Sequence, residues 1–302
     1  MKSIQSEKLN SGFNLLSSTE TISLNDNVKL QSPQQNYSVK YSFKNHVIGR
    51  FASAKHMRVH VLGGFALILF CYFTAMILYP KQNHYTIMEK TFSNLGSFDK
   101  ESNYRGWYFY SLLQLVSFCV NFPMAFYQHR RLKPINKTVS ILACVGMVTG
   151  AVCQFFLCFF PASEQVLSGS LMWGDFHNNI GYLGFAGCLF GYVMYGVISV
   201  IDRCKKQRVL NHLKVDLAIS FIIVMFLLTT TAICSWLIIY PKLKAKDPSM
   251  PSFRTASQYT IFDFTMWENF FVYSLYIFNL VFPFTLDFEE KMEKDQREEL
   301  IK

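Results

Sequence analysis

Residues Leu217–Tyr240 read LAISFIIVMFLLTTTAICSWLIIY and contain no charged side chain. A helix needs about 20 mainly apolar residues to cross the hydrocarbon core of a bilayer, which is about 30 Å thick. Only helices and closed barrels satisfy their backbone polar groups in lipid, and a continuous apolar run lacks the alternation of a barrel strand. The stretch therefore predicts a membrane-spanning helix.

Five further stretches have the same character, namely His60–Tyr79, Gly106–Tyr127, Val139–Phe160, Ile180–Ile201 and Phe264–Leu286. The composition agrees, because 51% of the 302 residues are hydrophobic and only 16% are charged, which is more apolar than a soluble domain. The net charge of +9 lies in short segments between the apolar runs, so no nucleic-acid partner is predicted. The expected fold class is all-α, a polytopic integral membrane bundle of six transmembrane helices.

Lysine and arginine set the expected orientation of this bundle, because cytoplasmic loops retain positive charge. Basic residues crowd the segment before the first span, the second connection and the fourth connection, as at Arg58, Arg131 and Lys205. The third connection, residues 161–179, has no lysine or arginine. Both termini are therefore predicted to be cytoplasmic.

The chain divides into four regions on these patterns. They are a disordered polar cytoplasmic tail at 1–38, a basic and aromatic juxtamembrane segment at 39–57, the six-helix membrane domain at 58–288 and a charged cytoplasmic tail at 289–302. The first tail is rich in Ser, Asn, Gln and Lys and lacks the apolar segment of a signal peptide. The first span is therefore expected to act as an uncleaved signal.

Small residues recur at four-residue spacing in two spans, as Gly146 and Gly150 in the third and Gly187 and Gly191 in the fourth. Such spacing lets helix backbones approach closely in lipid. The third and fourth helices are therefore predicted to form a closely packed central pair.

The eight cysteines avoid the predicted outer loops, where an oxidising space would favour disulfide bonds. Seven lie within predicted spans, where the expected role is packing as small apolar side chains. Cys204 lies at the cytoplasmic edge beside Arg203, and it is the candidate for lipidation by S-palmitoylation.

Ionisable side chains inside spans are costly, so each marks a candidate site. Glu268 lies in the sixth span, His177 stands at the entry of the fourth, and Ser93 lies in the first outer loop. A carboxylate beside an imidazole permits acid–base chemistry, with the Ser93 hydroxyl as nucleophile. The structural alternative is that Glu268 hydrogen-bonds to Trp173, Asn94 or backbone groups and fixes a loop over the bundle.

Further polar side chains on the same predicted outer side are candidates for ligand binding, namely Asn94, Arg105, Asp175 and Asp263. For metals there is one HxxxH pair, His56 and His60, but no acid or cysteine lies nearby to complete a site. HExxH, CxxC and phosphate-binding glycine motifs are absent from the sequence. Neither a metal nor a cofactor is predicted.

These outer-side motifs resemble those of the DRAM/FRAG/SFK family of six-span eukaryotic membrane proteins. The family carries an Ile-Ser-Asp-Leu/Thr-Gly element after its first span, where this chain has FSNLG at 92–96, and a histidine before its fourth span, as at His177. Its last span begins Glu-Trp and closes with Asp-Phe, whereas this chain has Trp267-Glu268 in reversed order and Asp287-Phe288. A related prokaryotic six-span group shares Ser-x-Leu-Gly and Phe-Pro...His, seen here at Phe160-Pro161.

The resemblance implies a protein of the lysosomal, Golgi or plasma membrane that modulates autophagy, GPI-anchor lipid remodelling or phosphoinositide-kinase recruitment. Membrane lipids are the expected partners, and the basic cytoplasmic edge attracts anionic lipid by about 1 kcal/mol per basic residue; the sequence specifies no protein partner. The first functional hypothesis is a non-enzymatic organiser of lipids or trafficking. The second is an acyl hydrolase or transferase using Ser93, His177 and Glu268, and a solute transporter is the third.

Overall fold

The protein is described by a computed structural model over residues 42–83, 85–87, 89–163, 166–168, 171–205, 210, 212–258 and 260–286. The predicted tails at 1–38 and 289–302 and the first residues of the juxtamembrane segment, 39–41, lie outside this part of the chain.

Helices account for nearly all of the regular structure in these ranges. They are α1 (Phe43–Val47), α2 (Ala54–Ile77), α3 (Trp107–Leu132), α4 (Lys137–Phe159), α5 (Trp173–Cys204), α6 (His212–Lys246), α7 (Phe253–Ser257) and α8 (Phe264–Val281). Shorter elements are the 3-10 turns Lys81–Asn83, Phe92–Gly96 and Phe282–Thr285, and an antiparallel hairpin of β1 (Val166–Ser168) and β2 (Leu171–Met172). The fold is all-α apart from this hairpin.

Five helices, α2 to α6, are long and apolar enough to cross a membrane. This confirms an integral, multi-pass membrane protein. Helix α8 has 18 residues, or about 27 Å at 1.5 Å per residue, and it carries Glu268, Asn269 and Asn279. These polar residues lower its mean hydropathy, so its crossing of the membrane stays a prediction.

Several helices extend beyond their predicted apolar limits. Helix α2 begins at Ala54, before the predicted domain boundary at 58, because the Ser53 side chain accepts a hydrogen bond from the His56 amide at 3.1 Å and caps the helix. Helix α5 begins at Trp173 rather than at Ile180. The first turns of α5 therefore contain Asp175 and His177, which the sequence had placed just before the helix.

The predicted contact between the third and fourth spans is confirmed at α4 and α5. A Cβ atom added to Gly146 would lie 2.6 Å from the Gly187 carbonyl oxygen, and one added to Gly187 would lie 2.9 Å from the Gly146 carbonyl oxygen. No side chain larger than glycine fits there without moving a backbone. Gly181 differs, because a Cβ atom there would meet nothing within 4 Å.

The far end of the bundle, where α5 leads into α6, is closed by hydrogen bonds and an ion pair. Asp202 is fully buried and accepts hydrogen bonds from the His212 ring at 2.9 Å and from the Leu210 amide at 3.2 Å. Arg203 pairs with Asp216. These contacts join the two helices at the end where the sequence predicts the cytoplasm.

Candidate functional site

A cavity lies between α3, α4, α5, α8 and the turn Phe92–Gly96 at the opposite end of the bundle. Its volume is about 80 Å³, which is room for several water molecules. Ser93, His177 and Glu268 all line this cavity. The structure thus brings all three catalytic candidates to one place.

The turn that carries Ser93 is held by its own side chains. The Asn94 Oδ1 atom accepts hydrogen bonds from the Thr91 amide and the Thr91 hydroxyl, both at 2.8 Å. The Ser93 and Thr91 hydroxyl oxygens lie 2.8 Å apart. Asn94, a candidate for ligand binding, therefore shapes the turn that presents Ser93.

Asn269 attaches this turn to α8 and was missed in the sequence. Its side chain is fully buried. The Oδ1 atom accepts from the Phe92 amide at 2.7 Å, and the Nδ2 group donates to the carbonyls of Ile87 at 2.9 Å and Lys90 at 2.8 Å. Its position beside Glu268 inside an apolar run was the available signal, because a buried amide requires hydrogen-bond partners.

Asn103 also holds this turn in place, through hydrogen bonds to backbone carbonyls. It is fully buried, and its Nδ2 group donates to the carbonyls of Leu95 at 2.7 Å and Ala75 at 3.1 Å. These bonds tie the turn to the end of α2. Two buried asparagines therefore fix the loop over the cavity, together with Asp99, which accepts from the Ser163 hydroxyl at 2.7 Å.

His177 is 4% exposed, and its Nδ1 atom lies 2.7 Å from the Phe160 carbonyl oxygen at the end of α4. A carbonyl only accepts, so Nδ1 carries the hydrogen in this bond. In the neutral ring the Nε2 atom then keeps its lone pair. The contact fixes the imidazole and leaves Nε2 as its acceptor.

Glu268 pairs with an arginine that the sequence did not suggest. Its Oε2 atom lies 3.2 Å from Nη2 of Arg254, which belongs to α7. The expected partners Trp173, Asn94 and backbone groups were wrong, because α7 places a guanidinium next to the start of α8. The Arg254 Cζ atom also lies 4.9 Å from the centre of the Phe264 ring, within the range of a cation–π contact.

The three catalytic candidates are not connected to one another. Within the described ranges, no hydrogen bond joins any two of Ser93, His177 and Glu268. Nucleophilic catalysis requires a hydroxyl within hydrogen-bond reach of its base, although such contacts are often loose without substrate. The arrangement is a shared polar cavity rather than an assembled catalytic triad.

The other three binding candidates lie off the cavity. Arg105 is exposed and borders an open groove beside Tyr108. Asp175 is exposed and accepts from the Met172 amide at 3.3 Å. Asp263 is fully buried and accepts from the Thr265 amide at 3.0 Å, so both carboxylates stabilise helix starts.

The remaining polar lining consists of neutral side chains contributed by four helices. Gln154 of α4 accepts from Asn121 at 2.9 Å, and Asn279 of α8 accepts from the Tyr192 hydroxyl at 2.8 Å. Gln114 of α3 also lines the cavity, and its Oε1 atom accepts from the Tyr276 hydroxyl at 3.5 Å. These side chains carry no charge, so the cost of burying ionisable groups did not single them out.

Within the described part of the chain, no three histidine, cysteine or acidic side chains are placed to hold a metal ion together. The eight cysteines are free thiols, and Cys204 is exposed at the end of α5. The exposure makes that thiol accessible for the predicted lipidation, which stays a prediction.

The chain matches no protein-family model, no curated protein and no solved structure. The resemblance to the DRAM/FRAG/SFK family therefore stays a prediction carried by the motifs alone.

Proposed function

We propose that this protein is a six-span membrane protein with both termini in the cytoplasm, and that it binds the polar headgroup of a membrane lipid in the cavity between α3, α4, α5 and α8. The supporting observation is the convergence of Ser93, His177 and Glu268 on that cavity. Binding without covalent chemistry then organises lipid in the leaflet that faces the lumen or the exterior.

The composition of the cavity wall supports a lipid rather than a small ion. Polar side chains lie beside apolar ones such as Leu157, Phe185 and Leu275. A lipid presents the same combination of a polar head and apolar glycerol and acyl carbons. Ligand sites are generally apolar with a few placed polar groups, and this wall has that character.

Catalysis is less well supported, because each of the three candidates already forms a hydrogen bond that stabilises the fold. Ser93 is bonded to Thr91, His177 to a backbone carbonyl, and Glu268 to Arg254. We therefore favour the non-enzymatic reading, in which the protein modulates lipid organisation in the lysosomal, Golgi or plasma membrane as the resemblance implies.

The test is to fill the cavity and measure bound lipid. Gly181 lines the cavity, and a Cβ atom there meets nothing within 4 Å, so Gly181→Phe should occupy the space without displacing the helix. Ser93→Phe should fill it from the loop side. We expect both variants to purify folded and to lose most of the lipid that the wild-type protein retains in mild detergent, measured by extraction and mass spectrometry.

The matched control is Gly63→Phe in α2. A Cβ atom at Gly63 also meets nothing within 4 Å, but Gly63 does not line the cavity. This variant should retain the wild-type lipid. Equal lipid retention by the control and both cavity variants would refute the proposal.

A second candidate function is acyl hydrolysis, which the shared cavity position of the three residues favours. In this reaction His177 takes the hydroxyl proton as the Ser93 oxygen attacks the ester carbonyl, and it returns that proton to the alcohol when the ester C–O bond breaks. Water, deprotonated by His177, then attacks the acyl-serine, so that the acid leaves and the Ser93 hydroxyl is restored. Wild-type protein that frees fatty acid from a bound lipid, while Ser93→Ala and His177→Ala bind it without release, would establish this activity and displace the first proposal.

A further inference from the structure

The cavity has a distinctive charge. Among its described lining residues Glu268 is the one carboxylate, and none is lysine or arginine. An anionic ligand inside the cavity would face this carboxylate, whereas its paired cation Arg254 is not among the lining residues, and bringing like charges together in a buried site costs free energy. A cationic group has the complementary charge.

Three aromatic rings that line the same cavity as this carboxylate pack against one another. The Phe92 ring centre lies 5.4 Å from that of Tyr110 and 5.7 Å from that of Tyr276, and all three residues line the cavity. The faces of such rings attract ammonium groups, and aromatic cages are a recurrent way of binding quaternary ammonium ligands. A carboxylate with several aromatic rings therefore favours an ammonium group.

Arg254 supplies the opposite charge just outside. Its Nη2 atom bonds the Oε2 atom of Glu268, whereas the Oε1 atom of Glu268 accepts no hydrogen bond from the described residues. The Arg254 side chain is 50% exposed against 28% for Glu268. A positive group thus stands at the water-facing side of the pair and a negative group at the cavity side.

We propose that the cavity binds the zwitterionic headgroup of a choline or ethanolamine phospholipid, with the ammonium group between Glu268 and the rings of Phe92, Tyr110 and Tyr276 and the phosphate beside Arg254. This inference rests on the proposed lipid-binding function and names its ligand class. The cavity volume of about 80 Å³ is below the roughly 300–1,000 Å³ of sites that enclose drug-sized ligands, so only the headgroup of a lipid enters it.

The experiment measures binding of short-chain phospholipids to the full-length protein in detergent, by titration calorimetry. Dihexanoyl phosphatidylcholine is compared with dihexanoyl phosphatidylglycerol, which has the same chains and no ammonium group. We expect phosphatidylcholine to bind at least about tenfold more tightly to the wild type. Glu268→Gln should remove this preference, whereas the control Glu101→Gln, at an exposed carboxylate in the loop before α3, should keep it.

Binding of free choline tests whether the cavity recognises a phospholipid headgroup or only a soluble amine. Choline should bind more weakly than phosphatidylcholine, and Arg254→Gln should lower the ratio of the two affinities because the phosphate loses its partner. Choline that binds as tightly as the phospholipid would overturn the lipid assignment.

The two proposals fail in different ways. If phosphatidylglycerol binds as well as phosphatidylcholine and Gly181→Phe abolishes both, the cavity binds lipid and the headgroup inference is wrong. If Gly181→Phe leaves both affinities unchanged, the cavity is not the lipid site and both proposals are wrong.

Discussion

The buried amide of Asn269 is bonded at both of its polar ends to the loop that precedes α3. Glu268, its neighbour, is bonded to Arg254 at the mouth of the cavity. The two consecutive residues thus have different roles. The amide of Asn269 has donors and an acceptor that hold the loop backbone, whereas the carboxylate of Glu268 brings a charge to the cavity.

Replacing Asn269 by alanine should release the loop. Three neutral hydrogen bonds are lost and two carbonyls and one amide are left without this partner, so we expect a loss of about 2–4 kcal/mol in stability. Limited trypsin digestion should cleave after Lys90 faster in Asn269→Ala than in the wild type, with a lower midpoint of thermal unfolding in detergent. Asn178→Ala, at an exposed position, is the control, and equal cleavage of both variants would contradict the role assigned to Asn269.

Helices α4 and α5 approach each other closely at facing glycines. In lipid, association of helices depends on close packing because the acyl chains are as apolar as the side chains. The Gly146 and Gly187 contact leaves no space for a Cβ atom, so this pair forms one wall of the cavity at a fixed separation.

Gly146→Ala should separate these helices. The added Cβ atom would lie 2.6 Å from the Gly187 carbonyl oxygen, and overpacking of this kind costs about 1–3 kcal/mol. The buried thiols of Cys144 and Cys188 should react with a maleimide dye at a lower temperature than in the wild type. Gly63→Ala, which meets nothing within 4 Å, should unfold at the wild-type temperature or slightly above, and a lowered temperature in both would exclude packing as the cause.

Helix α1 is attached to α2 by contacts between histidine rings and to α3 by the guanidinium of Arg130. The His46 ring centre lies 4.7 Å from that of His60 and 5.4 Å from that of His56. Arg130 of α3 donates to the carbonyls of Ile48 and Gly49. Burial, followed by the positive charge of His56, lowers the pKa of His46 from its usual value of 6.5.

This attachment should weaken in acid. Because the pKa of His46 is lower when α1 is docked, its contribution to docking is complete above about pH 6.5 and is lost as the pH falls below that value. Hydrogen exchange of residues 43–48, corrected for intrinsic rates, should show less protection at pH 5 than at pH 7.5. His46→Leu should remove this difference, and an unchanged pH dependence in that variant would assign the effect to His56 or His60 instead.

The membrane orientation of the whole protein can be tested with a single glycosylation site. Lys100 is exposed in the loop beside the cavity, and Lys100→Asn creates the acceptor sequence Asn-Glu-Ser with Glu101 and Ser102. We expect this variant, and not the wild type, to gain a mass that a glycosidase removes. The natural sequon at Asn136 lies at the opposite end, where its side chain caps α4 by accepting from the Val139 amide at 3.0 Å; a glycan there would invert the proposed orientation.

The helical, multi-pass character of the protein and the packing of α4 on α5 could be predicted from the sequence, because both depend on local quantities. An apolar run of sufficient length must form a helix in lipid, and glycines four residues apart lie on one helix face whatever surrounds them. The cost of burying ionisable groups likewise identified Glu268 and His177, both of which line the cavity.

The partners of these residues depended on contacts between distant parts of the chain. Asn269 bonds to Ile87 and Phe92 across more than 170 positions, and no local pattern pairs an amide with a particular carbonyl. Arg254 reaches Glu268 only because α7 folds beside the start of α8. Which polar side chains enclose a cavity and which cap a helix was therefore set by packing in three dimensions, since residue type specifies the number of hydrogen bonds but not the atoms that receive them.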